Sequence, residues 1–253
     1  MNIVVCCKFV PSMDDLVVND DRTVSLANAE WKINEADLNA VQVAVNLVKT
    51  VDGQVTALTV GDSHAESTKL RKDLLSRGPD KMMILSNEAF AKASPIEISE
   101  VLCTAIKEID ADLVICGEGS DDYYNQQTGI QLGTHLGWSN VHSVDSIAVE
   151  DGVLVVERML EKSAEVLEIE LPAVLSVTKT VAKAQRPNMR DVLAAGKKPV
   201  EIKQIDTAPN VGLKTLSVLA LENKERKQVL IDEGSSEEKA EKFVSYLKAE
   251  GVL

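Results

Sequence analysis

The residues with the clearest chemical potential run from Ala111 to Gly129, Ala-Asp-Leu-Val-Ile-Cys-Gly-Glu-Gly-Ser-Asp-Asp-Tyr-Tyr-Asn-Gln-Gln-Thr-Gly. An apolar run, Leu113 to Cys116, stops at Gly117. A polar loop follows, and Gln126-Gln127-Thr128-Gly129 then opens a stretch with helical spacing at Ile130, Leu132 and Leu136. A strand, a polar loop and a helix start in that order present backbone N–H groups to a phosphate, and the helix dipole adds to the attraction. Asn125, Gln126, Gln127 and Thr128 are the candidate donors. Asp121 and Asp122 are candidate Mg²⁺ ligands, ribose acceptors or carboxylates that solvate the loop. Tyr123 and Tyr124 stack on a base or close the crevice, with at least one of them structural. The alternative for the whole stretch is a surface loop that caps its helix and binds nothing.

Other chemistry is sparse. Asn34 and Asp37 open an apolar-periodic stretch, where helix capping is the first expectation. Cys6, Cys7, Cys103 and Cys116 show no C-x-x-C spacing and sit in apolar runs, as buried reduced thiols of a cytoplasmic protein do. His64, His135 and His142 are scattered, so no metal site is expected. No Ser/His/Asp or Cys/His grouping assembles. The loop after the first apolar run, Lys8-Phe-Val-Pro-Ser, has no glycine, and no Walker A pattern occurs. A nicotinamide dehydrogenase turn and a P-loop ATPase are therefore excluded. Trp31 and Trp138 read as packing residues.

The elements that must position these residues alternate. Ile3–Cys7 is a strand buried on both faces. A helix follows from Asn34 to about Lys49, on Leu38, Val41, Val45 and Val48. Gln54–Val60 is the second strand, with Asp62 or Ser63 as cap of a helix to about Arg77. Gly78-Pro79-Asp80 turns into a third strand, Met82–Leu85. Pro95 starts a helix to about Ile109, before the fourth strand, Leu113–Cys116. Such alternation implies a doubly wound, mostly parallel α/β sheet of Rossmann-like type with right-handed crossovers. Ligands of such sheets sit at the carboxyl ends of strands where the order reverses, so the loops after Cys7 and Cys116 are expected to meet. Beyond residue 140, Val144–Glu150 and Val153–Arg158 flank the hairpin turn Asp151-Gly152, Val166–Leu171 alternates, and Pro172–Val177 is a returning buried strand. A basic stretch, 178–200, reads as a docking surface or solvated charge. Residues 201–225 read as an extended arm, and Ser235–Glu238 cap a final helix, Ala240–Ala249. We expect a nucleotide-binding domain at 1–200 and an arm with its helix at 201–253.

With 253 residues and 45% hydrophobic content the core is sizeable, and at 3% aromatics it is filled by aliphatic side chains. A net charge of −13 disfavours nucleic acid and anionic membranes as partners. No apolar run is long enough to span a membrane, and the N-terminus lacks the basic region of a signal peptide.

Seven segments in order carry a resemblance. They are Val5-Cys-Cys-Lys-Phe-Val-Pro11, Ile33-Asn-Glu-Ala-Asp-Leu-Asn-Ala40, Leu70-Arg-Lys-Asp-Leu-Leu-Ser-Arg-Gly78, Cys116-Gly117 through Gln126-Gln-Thr-Gly129, Val156-Glu-Arg158, Leu171-Pro-Ala-Val174 and Pro187-Asn-Met-Arg-Asp-Val-Leu-Ala-Ala-Gly-Lys-Lys-Pro199. Together they resemble the β (small) subunit of the electron transfer flavoproteins, and the variant Glu-Gly-Ser-Asp-Asp-Tyr-Tyr resembles the branch tied to carnitine metabolism and Fix-type clusters. The resemblance implies a heterodimer with an α subunit that carries FAD, and a second nucleotide, AMP or FAD, in this chain. It implies electron passage between an acyl-CoA dehydrogenase-type flavoenzyme and other carriers, with NADH and ferredoxin as further partners in the bifurcating case. Carried over by position, Cys6 (through backbone), Asn34, Asp37 and Val60 contact the nucleotide. Gly117, Asp122, Tyr123, Asn125, Gln126, Gln127 and Thr128 belong to its phosphate side. The partner-recognition loop falls on about 183–198, with Met189 as anchor beside Arg190, Val192 and Leu193. The chain departs from the common family pattern at Glu118, where many members have a cation, at Tyr123-Tyr124 in place of a Gly-Asp pair, at Glu35 in place of proline, and at Met159. The competing reading is a stand-alone adenine-nucleotide (ATP or AMP) module of the same fold. A nucleotide hydrolase or ligase is the third and lacks a visible activating base.

Overall fold

The computed structural model describes residues 1–206, 215–222 and 227–253. The chain divides into two compact units, Met1–Val218 and Leu219–Leu253. In the first unit the strands are β1 (Asn2–Cys6), β2 (Phe9–Pro11), β3 (Val17–Val18), β4 (Val24–Ser25), β5 (Trp31–Ile33), β6 (Gln54–Gly61), β7 (Lys81–Ser86), β8 (Leu113–Gly117), β9 (Ser139–Glu150), β10 (Val153–Met159), β11 (Ala164–Ile169), β12 (Ala173–Val177) and β13 (Val200–Gln204). Its helices are α1 (Glu35–Val51), α2 (Thr68–Ser76), α3 (Pro95–Ile109), α4 (Thr128–Leu136) and α5 (Met189–Ala195). The main sheet has the order β11-β10-β9-β12-β8-β1-β6-β7-β13. From β9 to β13 every neighbouring pair is parallel, and β10 and β11 add antiparallel strands at one end. This is the doubly wound α/β architecture, and its order reverses between β1 and β8.

Period-two burial divides the core into two layers. Ile3 and Val5 face one layer with Val41 and Leu47 of α1, Leu70 and Leu74 of α2 and Ala195 of α5. Val4 faces the other with Val101, Leu102 and Ile106 of α3 and Leu132 of α4. Because both faces are covered, the central strands carry no polar alternation. The α3 start is fixed locally, by a capping box between Ser94 and Glu97 with Pro95 in the first turn.

Several expectations shift. Asp62 caps a short 3-10 turn, Ser63–Glu66, by accepting from His64 N–H, and α2 begins only at Thr68. β9 starts at Ser139, because its first half pairs with β12 while its second half forms the hairpin with β10. Asp151 and Gly152 turn that hairpin, both with positive φ (49° and 86°). Val200–Gln204, read as the start of an arm, pairs in parallel with β7 as the sheet's edge strand. Of that arm, 207–214 and 223–225 lie outside the described residues. In the second unit α6 spans Ser236–Ala249, starting four residues before the expected helix, behind a capping box of Ser235 and Glu238. No described helix is long and apolar enough to cross a membrane.

Candidate functional site

The carboxyl ends of β1 and β8 lie side by side, with Cys6 opposite Cys116, and a cavity of about 360 Å³ opens above them. Cys6, Asn34, Asp37, Val60, Gly117, Asp122, Tyr123, Asn125, Gln126, Gln127 and Thr128 all line it. Residues from four separate segments thus meet at the reversal of strand order, where open α/β sheets bind ligands. One wall is polar, running from Asn34 and Asp37 to the loop 117–128. The other is apolar, built from Leu58 and Val60 of β6, Phe90, and Ile98 and Leu102 of α3.

Asn34 explains how the loop is held. It occupies the cap position of α1, yet its side chain makes no cap bond. Instead its Nδ2 donates to the Gly119 carbonyl at 3.0 Å, and its Oδ1 accepts from the Asp121 N–H at 3.0 Å. With 1% exposure, the amide is a buried clamp joining the α1 start to a loop 85 residues away. Helix capping, the expectation for this residue, is therefore overturned.

Asp37 does similar work between strand ends. Its Oδ2 accepts from the Lys8 N–H at 2.7 Å, and the Gly117 N–H also donates to the carboxylate. Burial pushes its pKa up to about 7, against the pull of those bonds. The folded value lies above the unfolded one, so between roughly pH 4 and 7 the native state binds the extra proton and stability falls as pH rises. Chemical denaturation across pH 5–7 should show a loss of about 1 kcal/mol per pH unit from this group. Asp37→Asn should remove that slope, and a slope of equal size in the variant would reassign it.

Asp121 and Asp122 do not face solvent as free carboxylates. Asp122 pairs with Lys8 at 2.5 Å, and Asp121 with Lys179 at 2.9 Å and Lys32 at 3.3 Å. Burial opposes ionisation of both, but these cations outweigh it and hold both carboxyls below the ordinary range. Their stabilisation is present above about pH 4 and lost below it, outside the Asp37 window. Three lysines thus pin the loop that Asn34 clamps. Lys8 also lies 5.4 Å from the centre of the Tyr123 ring. Tyr124 is off the cavity wall, with its hydroxyl donating to Glu118 Oε1 at 2.9 Å.

At the start of α4 no side chain caps the first turn, and Gln127 and Thr128 border the cavity there. The donors there are neutral backbone, amide and hydroxyl groups, which a helix N-terminus presents to an anion. Tyr124 and Gln126 sit at positive φ (47° and 56°), which bends the loop around the cavity. These features fit the phosphate end of a nucleotide, and the apolar wall fits a ring. The cysteines add no nucleophile, since contact with Cys116 and burial push the Cys6 thiol well above its ordinary value, and burial does the same to Cys7.

Sequence reasoning missed part of the wall. Trp31, read as packing, also borders the cavity and stacks on His64 with ring centres 3.9 Å apart. Phe90, Ile98 and Leu102 gave no signal beyond ordinary core periodicity. The docking candidates lie outside this cavity, on α5. Asn188 and Asp191 cap that helix reciprocally, Ala195 is buried, and Met189 and Leu193 are 74% and 71% exposed. The basic run around them has mixed roles. Lys179 pairs with Asp121, and Lys198 Nζ donates to the Leu75 and Pro79 carbonyls at the end of α2 (2.9 and 2.6 Å). Lys183, Arg186, Arg190 and Lys197 are exposed.

The family model of the electron transfer flavoprotein domain matches residues 22–208, which take in α1, the loop 117–128 and α5. With most of its length inside that match and its cavity at the switch point of a doubly wound sheet, the chain belongs to the electron transfer flavoprotein domain family.

Proposed function

We propose that this chain is the β-type, smaller subunit of an electron transfer flavoprotein of the carnitine-associated, Fix-type branch, working in the cytoplasm. Its partner is an α-type subunit that carries the electron-transferring FAD, and segment 201–253 packs on that subunit. The cavity over β1 and β8 holds a second nucleotide, AMP or FAD. The observation that carries this reading is the convergence of the separately predicted residues around one cavity. Its volume, about 360 Å³, is in the range of small-molecule sites.

A bound flavin supplies the redox chemistry, and the protein's contribution is placement and exclusion of water. Asn34 and the three lysines keep the loop in shape, Asn125 to Thr128 provide the neutral donors, and the apolar wall takes the ring. Electrons pass between an acyl-CoA dehydrogenase-type flavoenzyme and other carriers, and Met189, Arg190, Val192 and Leu193 on α5 meet the flavoenzyme. With FAD in this chain, NADH and ferredoxin join the set of partners and the complex bifurcates.

The test is to co-express the chain with its α-type subunit, purify the complex natively and quantify the released nucleotides. Two FAD per heterodimer is the result expected of a bifurcating complex. One FAD and one AMP marks a simple shuttle with a structural nucleotide. A free chain that carries ATP and no flavin partner would replace the proposal with a stand-alone nucleotide module.

A further inference from the structure

The charges around the cavity are unusual for a phosphate site. Among the described residues lining it, Lys8 is the one lysine or arginine, while Asp37, Asp62, Glu118 and Asp122 are carboxylates. Lys8 is taken by Asp122, and Asp62 Oδ1 lies 3.0 Å from His64 Nδ1. Asp37 faces backbone N–H groups. Glu118 is different. It stands at the head of the polar loop, and the donor to its carboxylate is the neutral Tyr124 hydroxyl, with no cation within ion-pair distance among the described residues. Tyr124 is itself held close, since a Cβ on Gly119 would lie 2.6 Å from its ring. The loop therefore holds a carboxylate with no cation within ion-pair distance, among the described residues, on the border of the same cavity that Asn125 to Thr128 line.

A phosphate group bound by neutral donors next to a fixed carboxylate tolerates little added charge. Each further phosphate of a nucleotide brings negative charge towards Glu118 in a partly enclosed site, where repulsion is weakly screened. A monophosphate or a pyrophosphate diester keeps its charge low, whereas a triphosphate does not.

We infer that Glu118, oriented by Tyr124, is the specificity-determining residue that restricts this site to nucleotides of low phosphate charge and turns away triphosphates. This rests on the reading of the cavity as a nucleotide site and adds what that site rejects. Glu118 acts on the ligand's charge, and Tyr124 is a positioning residue that keeps the carboxylate turned towards the loop.

The experiment is calorimetric titration of the full chain, stripped of nucleotide and free of divalent metal, with AMP, ADP and ATP. AMP is expected to bind at least about tenfold more tightly than ATP, with ADP between. In Glu118→Gln, which keeps the size and an acceptor for Tyr124, the ATP-to-AMP affinity ratio should narrow to within about threefold. Tyr124→Phe should narrow it in part, by freeing the carboxylate. Equal binding of all three by the wild type, or an unchanged ratio in Glu118→Gln, would overturn the charge restriction and leave the nucleotide site standing. Failure of all three, and of FAD titrated alongside them, to bind would remove both.

Discussion

Gly117→Ala is expected to destabilise the protein by about 3 kcal/mol, read as a lower denaturation midpoint at constant m value. A Cβ at this position would lie 2.4 Å from Asp37 Oδ1, 2.8 Å from the Ala36 Cβ and 3.1 Å from the Ala36 carbonyl carbon. None of these is the far end of a flexible side chain. Ala36 is fully buried in α1, and Asp37 is held by the Lys8 and Gly117 N–H groups. Relief of the clash must separate the end of β8 from the start of α1, and those two elements form the floor and one wall of the cavity. The same substitution should therefore also reduce nucleotide retention. Gly196→Ala is the matched control. Its Cβ would find only the Leu193 carbonyl oxygen at 3.7 Å and Lys72 Cε at 4.0 Å, so a change within about 1 kcal/mol, neutral or stabilising, is expected. Equal losses in the two variants would show that close approach at Gly117 is not what matters.

How much of this was legible beforehand follows from where each signal lies. β1, β6, β7, β8 and β12 were readable because burial on both faces leaves largely apolar runs, interrupted in β6 and β12 only by the buried Thr56, Thr59 and Ser176, a property of each strand alone. α1 and α3 were readable from spacing, and α3 also from its own cap. By contrast, β2 and β5 are three residues each and pair across some twenty intervening positions, too short to show a period. β13 alternates weakly because it is an edge strand with mostly exposed residues. The opening of β9 is polar, and its pairing with β12 depends on a strand more than thirty positions further along. The site divides in the same way. The loop 117–128 announced itself through its composition. The role of Asn34 did not, because a local rule, capping, competed with two bonds to a loop far away in sequence. Lys179 and Lys198 looked like surface charge for the same reason. Their partners, Asp121 and the end of α2, are brought to them only by the fold.

Met189→Glu combined with Leu193→Glu is expected to leave stability within about 0.5 kcal/mol and nucleotide content unchanged, since both side chains are largely exposed. On the docking role proposed for α5, electron transfer to a dehydrogenase-type partner should fall by about a hundredfold, as when apolar hot-spot anchors are removed from an interface. Stopped-flow transfer kinetics with purified partner read this directly, and unchanged rates would end the docking role of α5. The way α5 is mounted gives a second, graded expectation. Asn39 Nδ2 donates to the Lys179 carbonyl at 2.8 Å and its Oδ1 accepts from the Ala184 N–H at 3.1 Å, while Gln42 accepts from the Gln185 N–H at 3.0 Å. These residues lie on α1, whose first turn carries Asp37 and which Asn34 precedes. One helix therefore holds both the loop 117–128 and the segment that leads into α5, and Lys179 of that segment is bonded both to α1 and to Asp121. Asn39→Ala keeps every docking side chain but leaves the segment loosely held, so transfer should slow by less than in the double variant. Rates that fall equally in both would mean that the mounting contributes as much to docking as the anchors it presents.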